Sequence, residues 1–301
     1  MVGNLNIFAL IVTYNGMQWL DRCLGSLEKS DLPVDVIVID NASTDGTPDY
    51  IAEHYPSVRL IRSDVNYGFA RANNIGIRYA MDNGADFVFL LNQDAWVEAD
   101  TVGCLVDVAR NDDTVGIVSP IHLNGGGYAL DWGFSSCVPS EFVSDSYCGS
   151  LKDKYYCDFV NAAAWMITRA CIEKVGGFDT MMFVHYGEDA NYCQRVKYHG
   201  LKIGICTAAT ICHDREFRKA NEKEYRDRNF RQDGVNRRLE YANILYDVDV
   251  NSFIAQNEVS LKKSYLKLKF KQAKRLKTEI EFLRRVKLSR ETNIKGGLCW
   301  L

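Results

Sequence analysis

Three acidic points in the chain combine residue type and setting in a way that could do chemistry: Asp40, Asp94 and the adjacent Glu188-Asp189. Each acid follows an apolar run or a glycine, as in Val38-Ile39-Asp40 and Tyr186-Gly187-Glu188-Asp189. An ionised carboxylate only accepts hydrogen bonds. It can therefore take one from a base N–H or a ribose hydroxyl, bind a hard divalent cation, or receive the proton of an attacking hydroxyl. Plainer readings stay open at every position. Asp40 with Ser43 would form an Asx turn, and Asp94 would cap a helix near Glu98. Glu188 and Asp189 suit a helix N-terminus, where successive side chains diverge by about 100°, so that at most one should face a substrate. A lone histidine at a strand end, such as His213, is more often structural.

The elements that must position these residues alternate. Apolar runs at Asn6–Thr13, Val34–Ile39, Val58–Ile61 and Asp86–Leu91 read as buried strands. Helices fall between them: Met17–Leu27 carries Leu20, Cys23, Leu24 and Leu27 on one face, and the run after Asn66-Tyr67-Gly68-Phe69 carries Ala70, Asn74, Ile77 and Met81. The alternation predicts an α/β fold, a parallel sheet with helices on both faces and ligands at the carboxyl ends of its strands. Polar clusters follow strands one, two and four there. Residues 122–157, rich in Gly, Ser, Tyr and Cys, read as a substrate-facing insertion. Beyond it the pattern predicts a strand over Tyr155–Thr168, a short helix over Arg169–Val175, and a helix over Asp189–His199. Two short strands around Thr207-Ala208-Ala209 and a helix over 216–250 complete the series.

Taken in order, the motifs resemble the family-2 glycosyltransferases, inverting enzymes of the GT-A fold that use nucleotide-diphospho-sugars. They are Val12-Thr13-Tyr14-Asn15, Val38 through Thr47, Asn66 through Gly76, Leu90-Leu91-Asn92-Gln93-Asp94, Val175-Gly176-Gly177-Phe178-Asp179, and Tyr186 through Asp189 on to Cys193 and Arg195. The likeness spans about residues 5–215, with the rhamnosyl- and galactofuranosyl-transferase-like branch the nearest. It implies a catalytic domain over 1–215 that takes a UDP- or dTDP-linked donor and a glycan or glycolipid acceptor in surface polysaccharide assembly. By resemblance, Thr13, Tyr14, Asn15, Asp40, Asn41, Ser43, Gly68, Arg71, Asn92, Gln93 and Asp94 bind the donor, with Arg71 reaching a phosphate. Asn92-Gln93-Asp94 stands where the family has D-x-D, one acid short. Asp94, joined by His213, would hold Mn²⁺ or Mg²⁺. The resemblance implies Asp189 as the general base, with Glu188 beside it holding the loop or the acceptor. Trp165 and Tyr186 could stack on the acceptor sugar or simply pack in the core.

Composition bounds the alternatives. The chain has 301 residues, 47% hydrophobic and 25% charged, as in a globular protein, and it lacks an apolar run long enough to span a membrane. Met1-Val2-Gly3-Asn4 carries no basic leader, and the 10 cysteines contain no C-x-x-C pair. Together these predict reduced thiols and a cytoplasmic location. The net charge of −3 conceals a split: residues 252–301 hold 13 Lys and Arg against four acids, a net +9, leaving −12 on the rest. The split predicts a helical extension over 216–250 and a separable basic tail over 251–301. In that tail Leu266, Phe270, Ala273, Leu276, Ile280 and Leu283 form one stripe of an amphipathic helix. Residues 261–290 would then meet the inner face of an anionic membrane, or else pack on the acidic body or a second subunit in a homo-oligomer. An acidic body excludes nucleic acid. Thr13-Tyr14-Asn15-Gly16 is neither the basic phosphate loop of a sugar-nucleotidyltransferase nor G-x-G-x-x-G of a dinucleotide enzyme. A non-catalytic scaffold of the same fold is the remaining alternative, favoured only by Asn92.

Overall fold

A computed structural model describes residues 5–184, 186–215 and 234–301. Of the expected helix over 216–250, residues 216–233 lie outside that range, as do residues 1–4 and His185. Strands β1 (Ile7–Thr13), β2 (Asp35–Asp40), β3 (Arg59–Arg62) and β4 (Phe87–Asn92) pair in parallel in the order β3-β2-β1-β4. Apolar residues on both faces of β1 explain its central place. Phe8 and Leu10 enter the core under α3 (Gly68–Asp82), while Ile7, Ala9 and Ile11 enter the one under α1 (Leu20–Leu27). A 3₁₀ turn, Met17–Trp19, precedes α1. Helix α2 (Thr47–His54) joins β2 to β3.

The second half of the sheet is mixed, and its reversals build the site. Strand β5 (Ala95–Val97) leaves Asp94 directly, α4 (Thr101–Arg110) follows, and β6 (Val115–Asn124) leads into two short helices, α5 (Trp132–Ser135) and α6 (Ser140–Cys148). The strand expected over Tyr155–Thr168 is two: β7 (Lys154–Cys157) and β8 (Ala164–Thr168). They part because β7 pairs with β9 (Lys202–His213) while β8 pairs antiparallel with β4, leaving 158–163 to cross the strand ends. The two short strands expected around Thr207 are the single strand β9, whose register against β6 jumps from Pro120↔Cys206 to Ile121↔Thr210. That bulge lets β9 run on to pair Ala95↔His213, which brings His213 beside Asp94.

Helices α7 (Arg169–Val175) and α8 (Glu188–Tyr198) cover one face of the sheet. The chain then continues through α9 (residues 234–242), α10 (Val250–Leu266) and α11 (Phe270–Lys295). The basic tail is not one amphipathic helix. Leu268, at φ 54°, breaks it into an α10–α11 hairpin. The expected stripe is divided accordingly: Ala273, Ile280 and Leu283 are buried, whereas Leu266 and Phe270 project at the turn, 85% and 64% exposed. Nor does packing break at residue 251. Leu283 and Val286 share a core with Met182 and Phe183 of the loop before α8, each such burial being worth about 1.5–3 kcal/mol. Asp179, fully buried, accepts from Ser289 Oγ and from Asn293 Nδ2 (3.1 Å). Gly176 (φ 84°) needs its missing side chain, because a Cβ there would lie 2.3 Å from the Cys299 carbonyl oxygen. The tail is thus a buttress of the loop that carries Glu188 and Asp189.

Candidate active site

At the carboxyl ends of β1, β2 and β4 lies a cleft of about 710 Å³. One wall is Val12, Tyr14, Asn41, Asn66 and Gly68; the opposite wall is Trp132, Ser136, Tyr186, Glu188 and Asp189, with Asn92 and Gln93 between. The loops of the first wall lock one another by hydrogen bonds. Gln93 Oε1 accepts from Thr13 Oγ1 (2.8 Å) and Tyr14 N (2.9 Å), which leaves its amide a brace. Asn15, held at φ 49°, donates its N–H to Ser43 Oγ and accepts from Thr44 N through Oδ1. Ser43 N donates to Asp40 Oδ2 (3.1 Å), the Asx turn that the sequence allowed. Asp40 is 2% exposed and its other oxygen, Oδ1, has no partner. A buried acceptor in that state is costly unless a ligand donor reaches it. Asn41 bridges onward: its Nδ2 donates to Asn66 Oδ1 (2.9 Å) and its Oδ1 accepts from Tyr67 N (2.7 Å).

The opposite wall depends on one turn. Tyr186 (φ 66°) and Gly187 (φ 91°) both have left-handed backbone, and a Cβ on Gly187 would lie 2.8 Å from Val235 Cγ1 of α9. The turn starts α8 at the cleft, so that both Glu188 and Asp189 line it. The expectation that at most one of the two would face a substrate therefore fails, since both line the cavity. Burial, and then the charge of Asp189, push the Glu188 carboxyl up to about 7. Burial also raises Asp189, against backbone N–H groups that favour its charge; Ala190 N donates to its Oδ1 at 2.8 Å. A pair of carboxylates so placed in a cleft is chemically suited to accept and release protons.

Asp94 and His213 lie below this surface, 2% and 1% exposed, with Oδ1 and Nε2 3.3 Å apart. Burial opposes charge on the imidazole, but the carboxylates of Asp131 and Asp94 outweigh it and raise its pKa. Asp131, 3.5 Å from His213 Nδ1, also accepts from Arg215 Nε at 2.8 Å and caps α5. Among the described residues no group of three or more His, Cys, Asp and Glu is placed to hold a metal. Asp94 and His213 offer a carboxylate and an imidazole, donor types that suit a divalent cation.

Two expected residues lie elsewhere. Trp165 is fully buried between Phe178 (stacked, centroids 6.3 Å) and Tyr192, because its place on β8 points it into the core. Arg71 stacks on Tyr67, 4.2 Å from the ring centroid, and lines a separate groove. The arginine in the cleft is Arg215, two residues beyond His213, a sequence proximity that could have flagged it. Asn161 was also missed. It lines the cleft, and neither its Nδ2 nor its Oδ1 has a partner. Nothing in Val160-Asn161-Ala162 announces this; the crossing from β7 to β8 creates it.

Comparison with known proteins agrees with this fold. The Glycosyl transferase family 2 signature matches residues 8–169. An N-acetylglucosaminyl-diphospho-decaprenol L-rhamnosyltransferase of Mycobacterium tuberculosis is 26% identical over 67% of this chain and 74% of its own. The dTDP-rhamnosyl transferase RfbF of Shigella flexneri is 26% identical over 70% of this chain and 69% of its own. Among solved structures, the mannosyltransferase PcManGT from Pyrobaculum calidifontis, in complex with GDP-Man and Mn²⁺, superposes with a TM-score of 0.56 at 18% identity, over 97% of this chain and 88% of that one. GalNAc-T7 with UDP, GalNAc and Mn²⁺ gives 0.58 at 18% identity, over 71% of this chain and 44% of that longer one. Both likenesses establish the GT-A fold. With the family signature covering more than half of its length, the chain belongs to glycosyl transferase family 2 and is a glycosyltransferase.

Proposed function

We propose that the protein transfers a sugar, with inversion, from a dTDP- or UDP-linked donor to a hydroxyl of a glycan or lipid-linked glycan in surface polysaccharide assembly. The observation that carries the reading is the single cleft in which Glu188 and Asp189 face Tyr14, Asn41 and Asn92. Rhamnose is the sugar of choice, since two relatives are rhamnosyltransferases. Residues 1–215 hold every side chain assigned to the cleft chemistry and form the catalytic unit. The unpartnered Asp40 oxygen accepts from base or ribose, and Asn161 offers both donor and acceptor to sugar hydroxyls. Asp189 takes the proton of the acceptor hydroxyl as its oxygen bonds the anomeric carbon and the bond to the nucleoside diphosphate breaks. Glu188 beside it orients the acceptor, and Tyr186, 57% exposed, stacks on it. Asp94 and His213 would hold Mn²⁺ or Mg²⁺, which when bound neutralises charge on the departing diphosphate.

Among the described residues no helix is long and apolar enough to cross a membrane. The proposed contact with an anionic cytoplasmic leaflet narrows from residues 261–290 to the hairpin turn, where Leu266, Leu268 and Phe270 project among Lys262, Lys263, Lys267, Lys269, Lys271 and Lys274. The test of function is turnover of a panel of nucleotide-sugars with and without Mn²⁺, the product anomer being read by NMR. Turnover of dTDP-rhamnose with inversion is the expected result; retention, or no turnover of any donor, overturns the reading.

A further inference from the structure

A second groove, of about 570 Å³, lies beside the cleft and shares its wall. Helix α3 forms that wall. Gly68 and Phe69 face the cleft, and Arg71 and Arg78, two turns apart, face the groove. Arg71 is three residues beyond Gly68, about 4.5 Å along the helix axis, so the first turns of one helix serve both cavities. The other side of the groove is the loop that leads to Tyr186 and Glu188, through Val184, together with the docked segment Trp300-Leu301. This side is fixed: Asn74 Nδ2 donates to the Trp300 carbonyl (3.0 Å), and Trp300 Nε1 donates to Asn293 Oδ1 (2.8 Å).

The lining combines two chemistries. Arg71 and Arg78 are exposed, and neither has a carboxylate partner among the described residues. Around them Ile75, Val184, Trp300 and Leu301 offer apolar surface, with Val184 57% exposed. Two guanidinium groups suit phosphate oxygens, which they bind through paired N–H donors. Apolar walls continuing from such a site suit hydrocarbon attached to the phosphate. A nucleoside diphosphate matches the first feature and not the second.

We propose that this groove binds the diphosphate and the adjoining isoprenoid units of a lipid-linked acceptor, Arg71 and Arg78 taking the phosphates while the acceptor sugar enters the cleft toward Asp189. This rests on the glycosyl-transfer reading and adds the acceptor's leading group and its seat. The groove would make the protein selective for diphospho-linked acceptors over glycosides of the same sugar.

Two measurements test it. In the first, farnesyl diphosphate is titrated into the full-length protein and into Arg71→Gln/Arg78→Gln. Wild type should bind it, with farnesol and inorganic pyrophosphate each at least about tenfold weaker, and the double variant should lose about 10–100-fold, the worth of one or two charge-assisted bonds. In the second, Arg78→Gln should raise KM for a short-chain diphospho-linked sugar about tenfold, leaving KM for a phosphate-free glycoside and donor hydrolysis unchanged. Unaltered farnesyl diphosphate binding in the double variant overturns the proposal. So does displacement of farnesyl diphosphate by the free nucleoside diphosphate, since the arginines would then serve the donor. The binding measurement needs no turnover, so failure of the glycosyl-transfer reading and failure of the groove are read separately.

Discussion

Removing the charge of Glu188 should stabilise the protein, by an amount that depends on pH in a fixed direction. Glu188 is 8% exposed and its Oε2 has no hydrogen-bond partner. Burial first, and the neighbouring Asp189 charge second, lift its pKa from 4.5 to about 7. In the unfolded chain the group ionises near 4.5. Between these values the folded state therefore binds more protons than the unfolded state, and stability falls as pH rises through the window. Above pH 7 the folded protein holds an ionised carboxylate at a cost of about 3 kcal/mol. Gln keeps the side chain's shape without the charge. Glu188→Gln should thus be more stable than wild type by up to about 3 kcal/mol at pH 8, with the advantage shrinking through pH 6 and gone below pH 4.5. Urea denaturation at pH 8, 6 and 4.5 measures this, provided the slope against urea is the same for both proteins. An advantage equal at all three pH values, or a variant less stable at pH 8, would refute the reasoning. A carboxylate kept in so unfavourable a place is what a site selected for turnover rather than stability would retain.

The remaining expectations follow from the same geometry. Asp189→Asn should lower turnover by about 10²–10⁴ with donor affinity by calorimetry unchanged; near-normal turnover in a folded variant removes Asp189 as the base. Asp94→Ala should abolish Mn²⁺-dependent donor binding and His213→Ala weaken it less, since the imidazole adds no negative charge; equal activity in chelator and in Mn²⁺ contradicts both roles. Leu268→Ser/Phe270→Ser should sediment poorly with anionic vesicles while hydrolysing donor normally, and raised salt should weaken wild-type binding, because such attraction is screened within about 8–10 Å. If instead the variant keeps vesicle binding, the hairpin turn is not the contact. Asn293→Ala should cost about 2–3 kcal/mol in urea denaturation, because the buried Asp179 carboxylate loses a donor. An unchanged midpoint would show the tail to be dispensable.

The residues alone determined much of this protein. Continuous burial along β1, with apolar side chains on both faces, requires helices on both sides, and the polar endings at Thr13, Asp40 and Asn92 mark the ligand edge. These are local patterns, set by backbone geometry and burial over a few residues, and they are legible without coordinates. The tail was misread for a related reason. Helical periodicity continues from Leu266 through Phe270 to Ala273, and only packing shows a hairpin there, with Leu283 and Val286 buried in the core beside the catalytic loop. Charge suggested a separable part; the buried hydrogen bonds of Asp179 tie it to the catalytic body. The same limit hid Asn161 and Arg215, which reach the cleft through the reversal at β8 and the bulge in β9. It also moved Trp165 into the core and Arg71 into the second groove. Which face a side chain presents follows from its own strand or helix, but what that face meets is decided by other elements of the chain, and no local pattern carries that information.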